Sequence, residues 1–164
     1  MSRLTLALEF VLRHEGGLAN DAADRGGLTK FGISRRSYPH LDIAGLSVEQ
    51  AIEIYAADFW QPIQADQLPY PIALAVFDTA VNSGVKTAVR MLQDLIGTTA
   101  DGIIGPKTLA ALAHHQPGTL AQQYCWARMR FLVRIVKRNL SQVRFLAGWT
   151  NRVSELAEEC ALWK

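Results

Sequence analysis

Residues 4–33 read LTLALEFVLRHEGGLANDAADRGGLTKFGI, and the change of pattern inside this stretch decides the fold class. Leu4, Leu8, Val11 and Leu12 recur at helical spacing, which predicts an amphipathic helix over residues 4–14, ended by Gly16-Gly17. Beyond it the chain turns rich in Gly and Asp. The β-compatible piece Leu28-Thr29-Lys30-Phe31-Gly32-Ile33 suits one small hairpin, the only strand region the pattern supports.

Downstream, helix dominates. Ser47-Val48-Glu49-Gln50 matches a capping box, and Ala51, Ile52, Ile54, Tyr55 and Phe59 continue a helix to about Gln61, before Pro62. Further helices are predicted from Pro71 to about Gly84, from Lys86 to Ile96 with Gly97 as its stop, from Pro106 to near His115, over residues 120–136, and after Asn139 to about Leu162. Pro117-Gly118 is a candidate subdomain seam. The expected class is mainly α, an α+β lysozyme-like helical bundle with one Gly-rich β-hairpin after the first helix.

The 164 residues suffice for one sizeable core but not for two full domains, and 49% apolar with 20% charged residues is an ordinary globular balance. Glu9 and Arg13 interrupt the first apolar stretch, so it reads as a mature helix rather than a signal peptide. No run approaches the roughly 20 apolar residues of a membrane span. The expectation is a chain made in the cytoplasm that reaches a substrate beyond the membrane by another route. Cys125 and Cys160 have neither metal-ligand spacing nor a CxxC pattern and read as buried thiols, with a disulfide left open.

The net charge of +2 hides an asymmetry. Between Asp101 and Glu155 there is no acidic residue, while Lys107, Arg128, Arg130, Arg134, Lys137, Arg138, Arg144 and Arg152 all fall there. That predicts a solvated basic helix face, with attraction to a polyanion as the functional alternative. Nucleic acid is not the expected partner, because these cations lack interleaved recognition chemistry.

The chemistry concentrates at the end of the first helix. A carboxyl group there, Glu15, faces the negative end of the macrodipole, which disfavours its ionised form and raises its pKa, as a general acid requires. Glycosidic cleavage needs such a proton donor and usually a second carboxylate. Asp24 is the better candidate for the second, carried back by Gly-rich chain, with Asp21 read as a turn residue; the hydroxyl of Thr29 is placed to hold a water. Gly16, Gly17, Gly26, Gly27 and Gly32 leave open space against a ligand, and Lys30 stands among them.

The pattern Glu15-Gly16-Gly17, Asp24-Arg25-Gly26-Gly27, Thr29, Phe31-Gly32-Ile33 resembles glycoside hydrolase family 108, N-acetylmuramidases found as phage endolysins and bacterial secretion-activator proteins. The order of Glu15, Asp24 and Thr29 also resembles the Glu, Asp, Thr trio of phage-type lysozymes, with the threonine one residue closer. The resemblance continues through residues 77–84, 92–97, 101–109 and 145–153, the third of these being similar to the family's predicted peptidoglycan-binding module. It implies residues 1–70 as a lysozyme-like catalytic part and 71–164 as a helical part resembling that module, packed as one compact unit.

The same resemblance implies hydrolysis of the β-1,4 bond between N-acetylmuramic acid and N-acetylglucosamine, peptidoglycan as partner, and no metal or organic cofactor. Glu15 carries over as the acid; Asp78 and Asn82, in a family-like segment, become candidate sugar contacts. Tyr55, Trp60 and Tyr70 read as core aromatics, with sugar stacking as the alternative. Export without a signal peptide implies a holin-like pore, and action in the periplasm or cell wall. A lytic transglycosylase and a non-catalytic wall-binding or secretion-assisting protein stand as the rival functions.

Overall fold

The computed structural model describes residues 2–15, 19–20 and 28–163. Helix α1 (Arg3–Glu15) buries Ala7, Leu8, Phe10 and Val11, the 3–4 spacing of one helix face. Three short antiparallel strands follow, β1 (Ala19–Asn20), β2 (Leu28–Lys30) and β3 (Ile33–Ser34), in the order β1-β2-β3. Thr29 pairs with both Ala19 and Ser34, and Lys30 pairs with Ile33.

Phe31 and Gly32 make the two-residue connection between β2 and β3, with φ of 52° and 75°. Two successive positive φ values are the mark of the tight turn whose twist matches that of paired strands. Gly32 adopts this conformation freely, whereas an aromatic residue at Phe31 does so only under local strain.

Ser47 caps α2 (Val48–Tyr55) reciprocally, accepting from the Gln50 amide at 3.2 Å while its own amide donates to Gln50 Oε1 at 2.9 Å. The expected continuation to Gln61 differs from what is found: after Tyr55 the chain widens into a π-helical turn, Ala56–Trp60. An α-helix would align Tyr55 with Phe59, four residues on. In the wider turn the repeat approaches five, and Tyr55 and Trp60 are the buried pair, 2% and 3% exposed, while Phe59 is half-buried.

The chain divides into two compact units, Met1–Asp58 and Phe59–Lys164. In the second, α3 (Tyr70–Ser83) is the central helix: every residue from 71 to 80 is buried, and α4 (Val85–Ile96), α6 (Pro117–Arg138) and α7 (Val143–Ala161) pack against it. A helix apolar on all sides belongs in such a position. Gly97 ends α4 in the left-handed conformation (φ 72°), its amide donating to Gln93 O. Pro106 starts α5 (Pro106–Leu112), and Pro117, the candidate seam, is instead the first turn of α6. Cys125 and Cys160 are buried free thiols on α6 and α7. Among the described residues, no helix is long and apolar enough to cross a membrane.

Candidate functional site

In the first unit the expected catalytic segment begins where α1 ends. Glu15 is the last residue of that helix, at the negative end of its dipole. Gly16, Gly17, Asp21, Asp24, Gly26 and Gly27 lie outside the described residues. Thr29, Lys30 and Gly32 are brought together on the β2–β3 hairpin.

That hairpin is tied to its surroundings by its two ends. The Lys30 ammonium donates to the Ala44 carbonyl at 3.0 Å and lies 5.4 Å from the centroid of the Phe31 ring. The Tyr55 hydroxyl, reaching from α2, donates to the Phe31 carbonyl at 2.8 Å. Tyr55 thus holds the strained turn residue by its backbone and is unavailable as a sugar platform. Nearby in sequence, Tyr38 donates to Asp58 Oδ2 at 2.5 Å; burial first, and then that hydrogen bond and the carboxylate charge, push the phenol above its ordinary range. His14 is held on its own helix, Nδ1 donating to the Phe10 carbonyl at 2.9 Å.

Asp78 and Asn82 belong to the second unit. Asn82 is exposed near the end of α3. Asp78 is fully buried, and its carboxylate is committed to two arginines: Arg152 Nη2 to Oδ1 at 2.7 Å, Arg152 Nε at 3.0 Å, and Arg128 Nη1 to Oδ2. Burial acts to raise its pKa, and the two guanidinium charges overrule it, holding the carboxyl below the ordinary carboxylate range. A carboxylate so placed offers nothing to a sugar; it neutralises two cations that the sequence assigns to a solvated basic face. Of the eight basic residues named there, Arg128 and Arg152 are buried and the other six are exposed.

The loop after α4 is organised by one amide. Gln93, 1% exposed, donates through Nε2 to Asp101 Oδ1 (2.7 Å), the Ile103 carbonyl (3.0 Å) and Thr108 Oγ1 (3.2 Å), and accepts from the Gly102 amide (2.9 Å). Every polar atom of a buried side chain wants a partner, and here a whole loop is wrapped around it. Trp60 and Phe77 meet edge-on at 5.3 Å, with Trp60 Nε1 donating to Asp66 at 3.0 Å, so Trp60 is a core residue. Tyr70 meets Trp163 edge-on at 4.4 Å. Among the described residues, no group of three or more His, Cys, Asp or Glu is arranged to hold a metal ion.

Two family models match the chain in tandem: glycosyl hydrolase 108 over residues 8–84, and a predicted peptidoglycan domain over residues 87–154. The structure is similar to that of SagA from Brucella abortus, with a TM-score of 0.86 and 30% identity, covering 98% of this chain and 94% of that one. The chain belongs to glycosyl hydrolase family 108. No curated protein matches it.

This family 108 member is therefore a glycoside hydrolase, and the peptidoglycan domain over its second half makes it a peptidoglycan hydrolase. Its mainly α architecture with a small sheet after the first helix is the expected one. What the sequence did not reveal in this family 108 chain are the supporting residues: Tyr55 on the turn, Gln93 in the loop, Arg128 and Arg152 on Asp78. Their partners lie 24, 8, 50 and 74 residues away. Gln93 and Arg152 alone of these carried a local signal, through their places in family-like segments.

Proposed function

We propose that the protein is an N-acetylmuramidase that cleaves the β-1,4 bond between N-acetylmuramic acid and N-acetylglucosamine, with Glu15 as general acid. The observation that carries the reading is the position of Glu15 as the last residue of α1 in a family 108 hydrolase. Carbonyl dipoles at a helix C-terminus favour a neutral over an ionised carboxyl, which keeps a proton available for the leaving oxygen. Asp24 serves as the second carboxylate and Thr29 holds the water. Gly16, Gly17, Gly26, Gly27 and Gly32 leave room for the glycan, Lys30 keeps donors beyond its Ala44 bond, and exposed Asn82 is a further sugar contact. The enzyme acts in the periplasm or wall after release through a holin-like pore.

Digestion of purified peptidoglycan with product masses tests the chemistry. The wild type releases muropeptides with reducing N-acetylmuramic acid ends. Glu15→Gln, folded as judged by an unchanged melting curve, loses about 100-fold or more of the rate, the usual worth of a positioned general acid. Normal turnover by that variant would falsify the assignment of Glu15. Products ending in 1,6-anhydro-muramic acid mean a lytic transglycosylase instead, and reducing N-acetylglucosamine ends mean a different bond.

A further inference from the structure

We infer that the tip of the α6–α7 hairpin docks on an anionic phospholipid bilayer. The two helices are joined by Asn139 and one tight helical turn, Leu140–Gln142, and no residue from 139 to 151 is buried. The first two turns of α7, Val143-Arg144-Phe145-Leu146-Ala147-Gly148-Trp149, are nonetheless apolar apart from Arg144. Leu140 is 74% exposed, Val143 58% and Phe145 43%. Phe145 and Trp149, one helical turn apart, stack with ring centroids at 5.8 Å and form one aromatic ridge. Apolar side chains scattered singly over a surface need no explanation, but a run of them at one helix end marks an interaction site.

The charged residues of the same tip are all cationic. Lys137 and Arg138 close α6, where the negative end of the helix dipole favours them. Arg144 has no such reason to be where it is. It stands in the first turn of α7, at the positive end, with no acidic residue in that turn and no side-chain cap before it. Its guanidinium lies over the Phe145 ring, 4.7 Å from the centroid. No acidic residue occurs between Asp101 and Glu155, so α6 and the first half of α7 bring no counter-charge of their own. Neither the exposed apolar run nor this cation is what the folded chain alone favours, and the two coincide.

Together they match a surface that carries phosphate headgroups above a hydrocarbon layer. Leu140, Val143 and Phe145 enter the acyl boundary, Trp149 sits at headgroup level, and Lys137, Arg138 and Arg144 extend to the phosphates. A glycan or a nucleic acid would engage the cations and leave Leu140 and Val143 in water. A second copy of the tip would set cation against cation. The hairpin lies on the bilayer rather than crossing it, since no described helix is long and apolar enough to span one. The inference does not rest on Glu15 or on the bond that the enzyme cleaves.

The test sediments the full chain with vesicles of mixed phosphatidylglycerol and phosphatidylcholine, and with phosphatidylcholine alone, at low and high salt. Expected is binding to the anionic vesicles that salt weakens, well above binding to the neutral ones. Lys137→Gln combined with Arg138→Gln lowers the partition about 25-fold, at roughly fivefold per cation. Leu140→Ser combined with Val143→Ser lowers it at least about tenfold. Both double variants keep the circular dichroism spectrum of the wild type. Tryptophan emission shifts to the blue on anionic vesicles, and Trp149→Phe loses that shift while still binding. No sedimentation with anionic vesicles, equal sedimentation with neutral ones, or undiminished binding by the Leu140 and Val143 double variant would each overturn the proposal. A dimer, or retention on purified peptidoglycan, that this double variant abolishes while its vesicle binding stays intact would assign the tip to that partner instead.

Discussion

Among single residues, the most consequential group described is Asp78. Its neutral replacement Asp78→Asn removes the buried carboxylate that Arg128 and Arg152 share, and breaking a buried pair in this way costs about 3–5 kcal/mol. The urea midpoint at neutral pH is expected to fall accordingly. The pH dependence has a definite sign. Because the folded-state pKa is depressed, the stabilisation is fully present above the ordinary carboxylate value of about 4 and disappears as pH falls through the lower folded-state value. The gap between wild type and Asp78→Asn therefore narrows between neutral pH and strong acid; a gap of constant size would show that the arginines are not held by this charge. Nothing local in the sequence marks Asp78 for this role, since its neighbours Phe77 and Thr79 belong to an ordinary helical run.

Among the elements, the β2–β3 turn sets where Thr29 and Lys30 stand, because a two-residue connection leaves only one register for the strands it joins. Gly32→Ala places a side chain at φ 75° and is expected to cost about 1 kcal/mol, read as a shift in the denaturation midpoint. An unchanged midpoint would mean that the turn relaxes to another form. Helix ends were the most legible elements in the sequence, since Ser47, Pro106 and Gly97 act on backbone groups within four residues of themselves. The π-helical turn after Tyr55 was not legible: apolar residues at positions 55, 59 and 60 fit either period, and burial of Trp60 selected the wider one.

Across the molecule as a whole, the family models and the folded units divide the chain differently. The hydrolase model ends at residue 84, yet α3, which lies within it, is the central helix of the second unit. Asp78, from the hydrolase match, binds Arg128 and Arg152, from the peptidoglycan match. A fragment of residues 59–164 is therefore expected to melt cooperatively, whereas residues 85–164, stripped of ten consecutive buried residues, are not. Calorimetry of the two fragments decides this, and a cooperative transition in the shorter one would make the peptidoglycan match an independent folding module.

Local sequence was enough to specify the helices and their ends, the small sheet after α1, the placement of Glu15 at a helix terminus, and the family. These rest on periodicity, capping and turn chemistry, which act over a few residues, or on a motif read directly from the chain. The fate of the buried charges was settled only by packing. Whether Arg128 and Arg152 face water or Asp78 depends on groups 50 and 74 residues apart coming into one low-dielectric interior. No local pattern encodes such a meeting, because the energy that fixes it exists only once both helices have packed.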